Sequence, residues 1–532
     1  MSQHRHDEWG TRVGVILAVA GSAVGLGNFL RFPGQAAANG GGAFMIPYFC
    51  ALLLLGIPVG WVEWTLARHA GRHGFHSAPG VLGVAGGGSF FRHLGAIGVL
   101  IPLVVSFYYV FIEAWCLGYT FYYLTGGVGI DAAAPIAEQN AASGAFYTAF
   151  TGAGADGVLL QASSPTLWFW LSAIAFNVVL VYRGISGGIE KFCNVAMPVM
   201  AVCALVVLIR VLTLGTPDPA VPEQSVLNGL GYMWNPDFTK LGDASTWLAA
   251  AGQIFFSLSV GFGIIINYAS YLKKDDDVVL SGLASSATNE LFEVGFGGMI
   301  TLTASFVFLG LAGTTAAVQT GTFGLGFNTL PVVFAHMGAV GNLVGVVWFF
   351  MLFLAALTSS VSMVQPAIAF FMEALGVNRP RAVAFTLALG LLGGGLTLYF
   401  TEGGAFWSTL DFWVGTFLIF VIAAVEVVVF GWVFGVDRGL AEAHRGSSIR
   451  IPGVFRIIIK YVAPVYLGVV FLAFCIQNLG DSLQASLATT GARTALIVIV
   501  LVMCLLLVVT RMGERRWRAA GLDLDGRQPL GD

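Results

Sequence analysis

Arg31 lies in a stretch of apolar and small residues, Val13 to Pro33, that is otherwise fit to cross a bilayer. A charge at that depth costs a few kcal/mol even on the gentlest insertion scale, so it needs a partner or water. Just before it, Gly25-Leu26-Gly27 weakens the helix. Unwound backbone is tolerated at membrane depth only where it is buried in protein or lines a cavity. A second interruption runs from Gly252 and Gln253 through Phe256, Ser257, Ser259 and Gly261 to Phe262 and Gly263. A broken helix exposes N–H groups from one half and carbonyls from the other. The first suit a carboxylate and the second a cation. Ser22, Asn28, Ser257, Asn289, Thr358 and Ser359 add small neutral oxygen donors of the kind a hard monovalent cation takes. The competing reading is structural: glycine kinks at helix contacts, and ordinary hydroxyl hydrogen bonds between helices around Thr358-Ser359-Ser360.

The elements that must hold these groups are membrane helices. The chain has 532 residues, of which 57% are hydrophobic and only 10% charged, with a mean hydropathy of +0.83; soluble proteins carry about 25% charged residues. Runs of spanning length predict about twelve helices, near 11–32, 43–69, 90–124, 165–183, 190–213, 242–270, 278–312, 342–373, 381–400, 405–435, 454–478 and 492–511. Lys and Arg cluster before the first span, after the even-numbered spans and in the tail. Residues 125–164 and 313–341 contain neither. The positive-inside rule therefore places both termini in the cytoplasm. The short outer loops and the absence of any Asn-x-Ser/Thr signal favour a bacterial inner membrane. Short helices capping the outer face are expected within 313–341. The six cysteines read as small core residues, without a disulfide framework.

The two interrupted spans are the first and the sixth, each opening a set of five. Interrupted helices in corresponding positions of two halves mark a transporter site at the interface of inverted repeats.

The stretches Trp9–Arg68, Val104–Glu113, Gly252–Tyr271, Asn289–Gly298, Ala355–Pro366 and Asp411–Gly415 closely resemble the neurotransmitter:sodium symporter family, in particular its bacterial amino-acid transporters. Gly-Ser-Ala-Val-Gly-Leu-Gly-Asn-Phe-Leu-Arg-Phe-Pro, from Gly21 to Pro33, carries most of the likeness. The resemblance implies an all-α integral membrane protein of the LeuT fold. Its parts would be a gate segment at 1–10, two inverted five-helix repeats at 11–213 and 242–435, two further helices within 454–511, and a cytoplasmic tail at 512–532. It implies one sodium site from Ala23, Asn28, Ser257, Asn289 and the substrate carboxylate, and a second from Gly21, Val24, Ala355, Thr358 and Ser359. The substrate would meet Ser22, Ala23, Leu26, Gly27, Val105, Tyr109, Phe256, Ser257, Ser259, Phe262, Ser359 and Met363. Arg31 and Asp411 would form an outer gate, and Trp9, Tyr271 and Glu373, with Arg5 or His6, an inner one.

Gly25 occupies the position where amine-transporting relatives carry aspartate, which leaves room for a carboxylate on the substrate. The lining is otherwise apolar and aromatic, so an apolar or aromatic amino acid is expected. Glu293 stands where chloride-dependent relatives have serine, which implies chloride-independent transport. The expected partners are the amino acid, two Na+ ions and membrane lipid, with a homodimer left open and no organic cofactor or nucleic acid. Transport of another zwitterion or an amine, or a sensor role, is the alternative. No nucleophile–base pair or phosphate loop supports an enzyme.

Four other features have plainer readings. His69, His73 and His76 have helical metal-like spacing but no acidic or thiol partner. Asp275 to Asp277 read as a helix cap. Glu63, Glu113 and Glu426 read as structural pairs inside the bundle. Arg511 to Arg518 with Trp517 read as an inner-leaflet anchor.

Overall fold

A bilayer offers the backbone no hydrogen-bond partners, so apolar runs of this length satisfy their own N–H and C=O groups as helices. The computed structural model describes residues 9–236, 238–318, 323 and 325–527, and its regular elements are all helical. Arg5 and His6 lie outside the described residues. Ten continuous helices are long and apolar enough to cross a membrane: Gly42–Gly71, Ser89–Leu124, Pro165–Tyr182, Ile185–Leu212, Val278–Ala316, Gly338–Leu375, Arg379–Tyr399, Glu402–Val433, Val454–Gln477 and Thr490–Ala519. The first span is a bent pair, Arg12–Ala23 and Gly27–Ala38, at 47°. The sixth consists of Ala244–Ser257 and Ile264–Ala269. Its longer piece rises only about 21 Å, short of the ~30 Å hydrocarbon core. Both expected breaks are therefore present.

The third and eighth spans pack along each other and form the axis of the molecule. The most apolar window of the third is 94% buried, against 22% for the eleventh. The eleventh instead exposes Val465, Val469, Leu472 and Ile476, an apolar face suited to lipid. Among its described residues, the segment 313–341 carries the short helices Leu325–Thr329, Leu330–Ala335 and Gly338–Val340.

Asp277 caps the seventh span as expected, accepting from Leu280 N at 2.8 Å. Burial opposes its charge, but the Ser448 and Leu280 N–H groups and Arg12 outweigh that and hold the carboxyl below its usual value. All six cysteines are free.

Candidate functional site

At the first break, Val24 turns extended (φ −72°, ψ 95°) and ends the inner half-helix. Two freed N–H groups find side chains: Gly25 N donates to Asn28 Oδ1 at 2.9 Å and Leu26 N to the Tyr109 hydroxyl at 3.1 Å. A Cβ on Gly25 would stand 2.7 Å from both the Tyr109 hydroxyl and Ser359 Oγ. On Gly27 it would meet the Phe256 ring at 2.9 Å. The glycines that weaken the helix are thus also the residues that let three other spans approach its backbone.

At the second break, Ser259 and Gly261 adopt positive φ, 54° and 77°. Gly261 N donates to Glu63 Oε1 at 2.9 Å, so a carboxylate from the second span caps the unwound turn. Ser259 Oγ donates across to the Ser22 carbonyl at 3.3 Å, joining the two breaks. Ser22 Oγ is buried with no hydrogen-bond partner among the described residues. Around these groups Leu26, Val105, Phe262 and Met363 are buried, and Phe256 and Phe262 meet edge to face at 5.9 Å. Val105 and Met363 sit one turn from Tyr109 and Ser359 on their helices.

Two oxygen clusters flank the breaks. Ser359 Oγ lies 3.5 Å from Gly21 O, 3.1 Å from Ser22 O, 3.5 Å from Val24 O and 3.0 Å from Ala355 O. Thr358 Oγ1 is 3.0 Å from the same Ala355 carbonyl. One hydroxyl carries one proton, so it cannot serve four carbonyls. The remaining lone pairs converge in a manner that fits a cation. In the second cluster Asn28 Nδ2 reaches Asn289 Oδ1 at 2.8 Å, and Asn289 Nδ2 reaches Ser257 Oγ at 2.7 Å. Glu293 sits against it, accepting from Gln253 at 2.7 Å and Asn289 at 3.2 Å. Ala23, buried at the end of the inner half-helix, has no side chain to reach this cluster and could offer only its carbonyl.

The gate residues are arranged unequally. Arg31 and Asp411 form no direct ion pair among the described residues. Asp411 accepts from the Tyr108 hydroxyl at 2.6 Å, while the Arg31 guanidinium lies 4.4 Å over the Phe256 ring. Arg31 Nη1 is buried without a hydrogen-bond partner, beside a cavity of about 200 Å³ lined by Gln35, Gly252, Thr416, Phe417 and Phe471. Among the described residues, those expected at the inner gate lie packed together. Trp9 is buried and its indole donates to Tyr268 O at 2.9 Å. The Glu373 carboxylate holds His76 N at 2.7 Å and Ser77 Oγ at 3.0 Å, and His76 stacks on Tyr271 at 4.3 Å.

Within the tail, Trp517 turns into the protein while Arg511, Arg515, Arg516 and Arg518 stay exposed. Trp517 is 2% exposed, packs on Phe75 and donates to Glu373 O at 3.0 Å. Its apolar ring and single donor are both satisfied inside the protein, so nothing remains for a headgroup. No metal-like cluster of three His, Cys, Asp or Glu occurs among the described residues. Glu113 is paired structurally, accepting from Asn177 at 3.1 Å. Sequence reasoning placed Gln253 in the second break without giving it a role, and did not single out Glu190. Their partners lie 40 and about 180 residues away, and only the fold brings them together.

The sequence model of the sodium:neurotransmitter symporter family matches residues 6–174 and 159–517. The chain belongs to this family. An uncharacterized sodium-dependent transporter of Methanocaldococcus jannaschii is 31% identical over 483 residues, covering 89% of this chain and 91% of that one. The sodium-dependent dopamine transporter of Bos taurus is 28% identical, covering 87% and 68%. Among solved structures, MhsT in complex with L-phenylalanine aligns with a TM-score of 0.74 at 28% identity, over 88% of this chain and 99% of that one. The family consists of transporters rather than enzymes, and this member is a multi-pass membrane protein with the LeuT fold.

Proposed function

We propose that this transporter takes up amino acids with apolar or aromatic side chains by sodium symport, without chloride. The observation that carries the proposal is the missing side chain at Gly25. Even a Cβ there would stand 2.7 Å from both the Tyr109 hydroxyl and Ser359 Oγ, so this position holds no carboxylate of the protein and the site's carboxylate must arrive on the substrate. The Tyr109 hydroxyl accepts from Leu26 N and keeps its own proton, which it would donate to that carboxylate, while the Ser22 carbonyl, Ser257 and Ser259 would face the ammonium group. Val105, Phe256, Phe262 and Met363 form the side-chain pocket, and the phenylalanine bound by MhsT supports that class. One Na+ would sit among Ala23, Asn28, Ser257, Asn289 and the substrate carboxylate, the other among Gly21, Val24, Ala355, Thr358 and Ser359. Glu293 supplies a fixed negative charge beside the first, in place of a chloride ion.

Transport runs by alternating access between the repeats 11–213 and 242–435. Sodium and substrate bind from outside, Arg31 and Asp411 draw together, and the inner side opens as Trp9 leaves Tyr268. Both termini are cytoplasmic. The membrane potential contributes about 2.3 kcal/mol per charge per 100 mV. Ligands that bound both states equally would shift nothing. The test is uptake of labelled amino acids into proteoliposomes under an inward sodium gradient. Uphill accumulation that persists in gluconate supports the reading. Equilibration without accumulation, or collapse when chloride is removed, counts against sodium coupling or chloride independence respectively.

A further inference from the structure

The cytoplasmic end of the fifth span reaches the start of the first. Glu190 is 4% exposed, and its carboxylate accepts from Gly10 N at 2.8 Å, Thr11 N at 3.1 Å and Thr11 Oγ1 at 3.1 Å. These donors stand at the N-terminus of the inner half-helix Arg12–Ala23, whose own cap is Thr11. A carboxylate there satisfies orphan N–H groups and meets the positive end of the helix dipole. The fit is close, since a Cβ on Gly14 would fall 2.0 Å from Glu190 Oε1 and 2.5 Å from its Cδ.

Among the described residues, Arg12 and Trp9 add further polar ties at this end of the half-helix. Arg12 pairs with Asp277 at 3.0 Å, but the arginine side chain is 44% exposed, and such pairs contribute little. Trp9 makes one neutral hydrogen bond to Tyr268 O. The buried, charged Glu190 carboxylate accepts three bonds from Gly10 and Thr11, and charge-assisted bonds are about twice as strong as neutral ones. At its other end the half-helix joins the rest of its span only through the unwound Val24–Leu26 turn.

We propose that Glu190 is the latch that holds the inner half of the first span in the closed position, and that cytoplasmic opening requires these three bonds to break. Glu190 is a positioning residue, since it acts on the substrate and ion groups only through the half-helix that carries them. The proposal rests on the alternating-access reading above, but its test does not require transport.

The fifth span supplies a native reporter. Cys193 is fully buried and lies against the same half-helix, its Sγ 3.3 Å from where a Gly21 Cβ would stand. The experiment labels Cys193 from the cytoplasmic face with a membrane-impermeant maleimide in saturating sodium, using full-length chain in which the other five cysteines are replaced. Glu190→Gln should raise the labelling rate about tenfold, roughly the worth of one charge-assisted hydrogen bond. Gly14→Ala, which pushes the carboxylate away sterically, should do the same, and Glu190→Asp should fall between. If Glu190→Gln does not fold, Gly14→Ala and Thr11→Ala carry the test. Labelling rates equal to wild type in the folded variants overturn the latch. Raised labelling in a protein that accumulates no amino acid supports the latch and overturns only the transport reading.

Discussion

Gly25 acts through the side chain it lacks. Its backbone is bracketed by the Tyr109 hydroxyl and Ser359 Oγ, both of which serve the proposed substrate and ion sites. Gly25→Ala forces a methyl group into 2.7 Å contacts on two sides. Overpacking of that kind costs about 1–3 kcal/mol. Spent on the binding geometry, this should lower amino-acid uptake ~10- to 100-fold while the protein remains folded. Uptake at wild-type KM and rate would remove Gly25 from the carboxylate site. Glu293 acts through a charge instead. It accepts from Gln253 and Asn289 beside the Asn28 cluster. Glu293→Ser should leave uptake low in gluconate and restore it with chloride. Uptake in the variant that ignores chloride would show that the carboxylate does something other than substitute for an anion.

At the scale of the element, the two breaks are held open by partners from elsewhere in the chain. Gly261 N is buried in the unwound turn of the sixth span, and Glu63 Oε1 is its acceptor at 2.9 Å. Glu63→Ala leaves that N–H unsatisfied, at a cost of about 1–3 kcal/mol, and should lower the melting temperature in detergent. Glu63→Gln keeps an oxygen acceptor and should lose less. Equal melting of all three proteins would place the turn's stability elsewhere. The breaks themselves were legible in the sequence, because Gly25, Gly27, Gly261 and Gly263 punctuate runs that are otherwise helical. The hydroxyls and amides proposed as ligands were picked out through the family pattern they share. Glu63 was visible as a buried acid, but its partner was not, since the bond spans 198 residues. Glu190 carried no local signal, because a carboxylate next to Lys191 at the end of a loop has the composition of an ordinary solvated face. Arg31 was rightly read as a charge needing company, yet in this conformation its company is the Phe256 ring rather than Asp411.

Across the whole molecule, the tail shows how an amphipathic residue such as Trp517 admits two readings when it is read alone. Arg511 to Arg518 with Trp517 have the composition of a membrane-surface anchor, but composition cannot tell a headgroup from a protein groove. Arg92, 1% exposed, pairs with Glu514 and Asp525 at 3.0 Å each and donates to Leu524 O at 2.9 Å. His73 faces Asp523 at 3.5 Å, and Trp517 rests on the Glu373 carbonyl. The last helix and its extension are thus strapped across the segment 73–92, whose His76 and Ser77 also hold the Glu373 carboxylate. Removing one partner of a buried pair leaves the other uncompensated, at up to 3–5 kcal/mol. Because the Asp525 side chain is 35% exposed, about 2 kcal/mol is the better expectation here. Arg92→Ala should therefore raise local opening of the tail about 30-fold, while the membrane helices stay folded. Limited trypsin digestion at Arg515, Arg516 and Arg518 reads this directly, because cleavage tracks the open population when reclosing is fast. Trp517 fluorescence should shift to the red in the same variant. Digestion at the wild-type rate would mean that Trp517 and Asp523 hold the strap without Arg92, and that the buried arginine serves only the packing of the segment 78–94 against it.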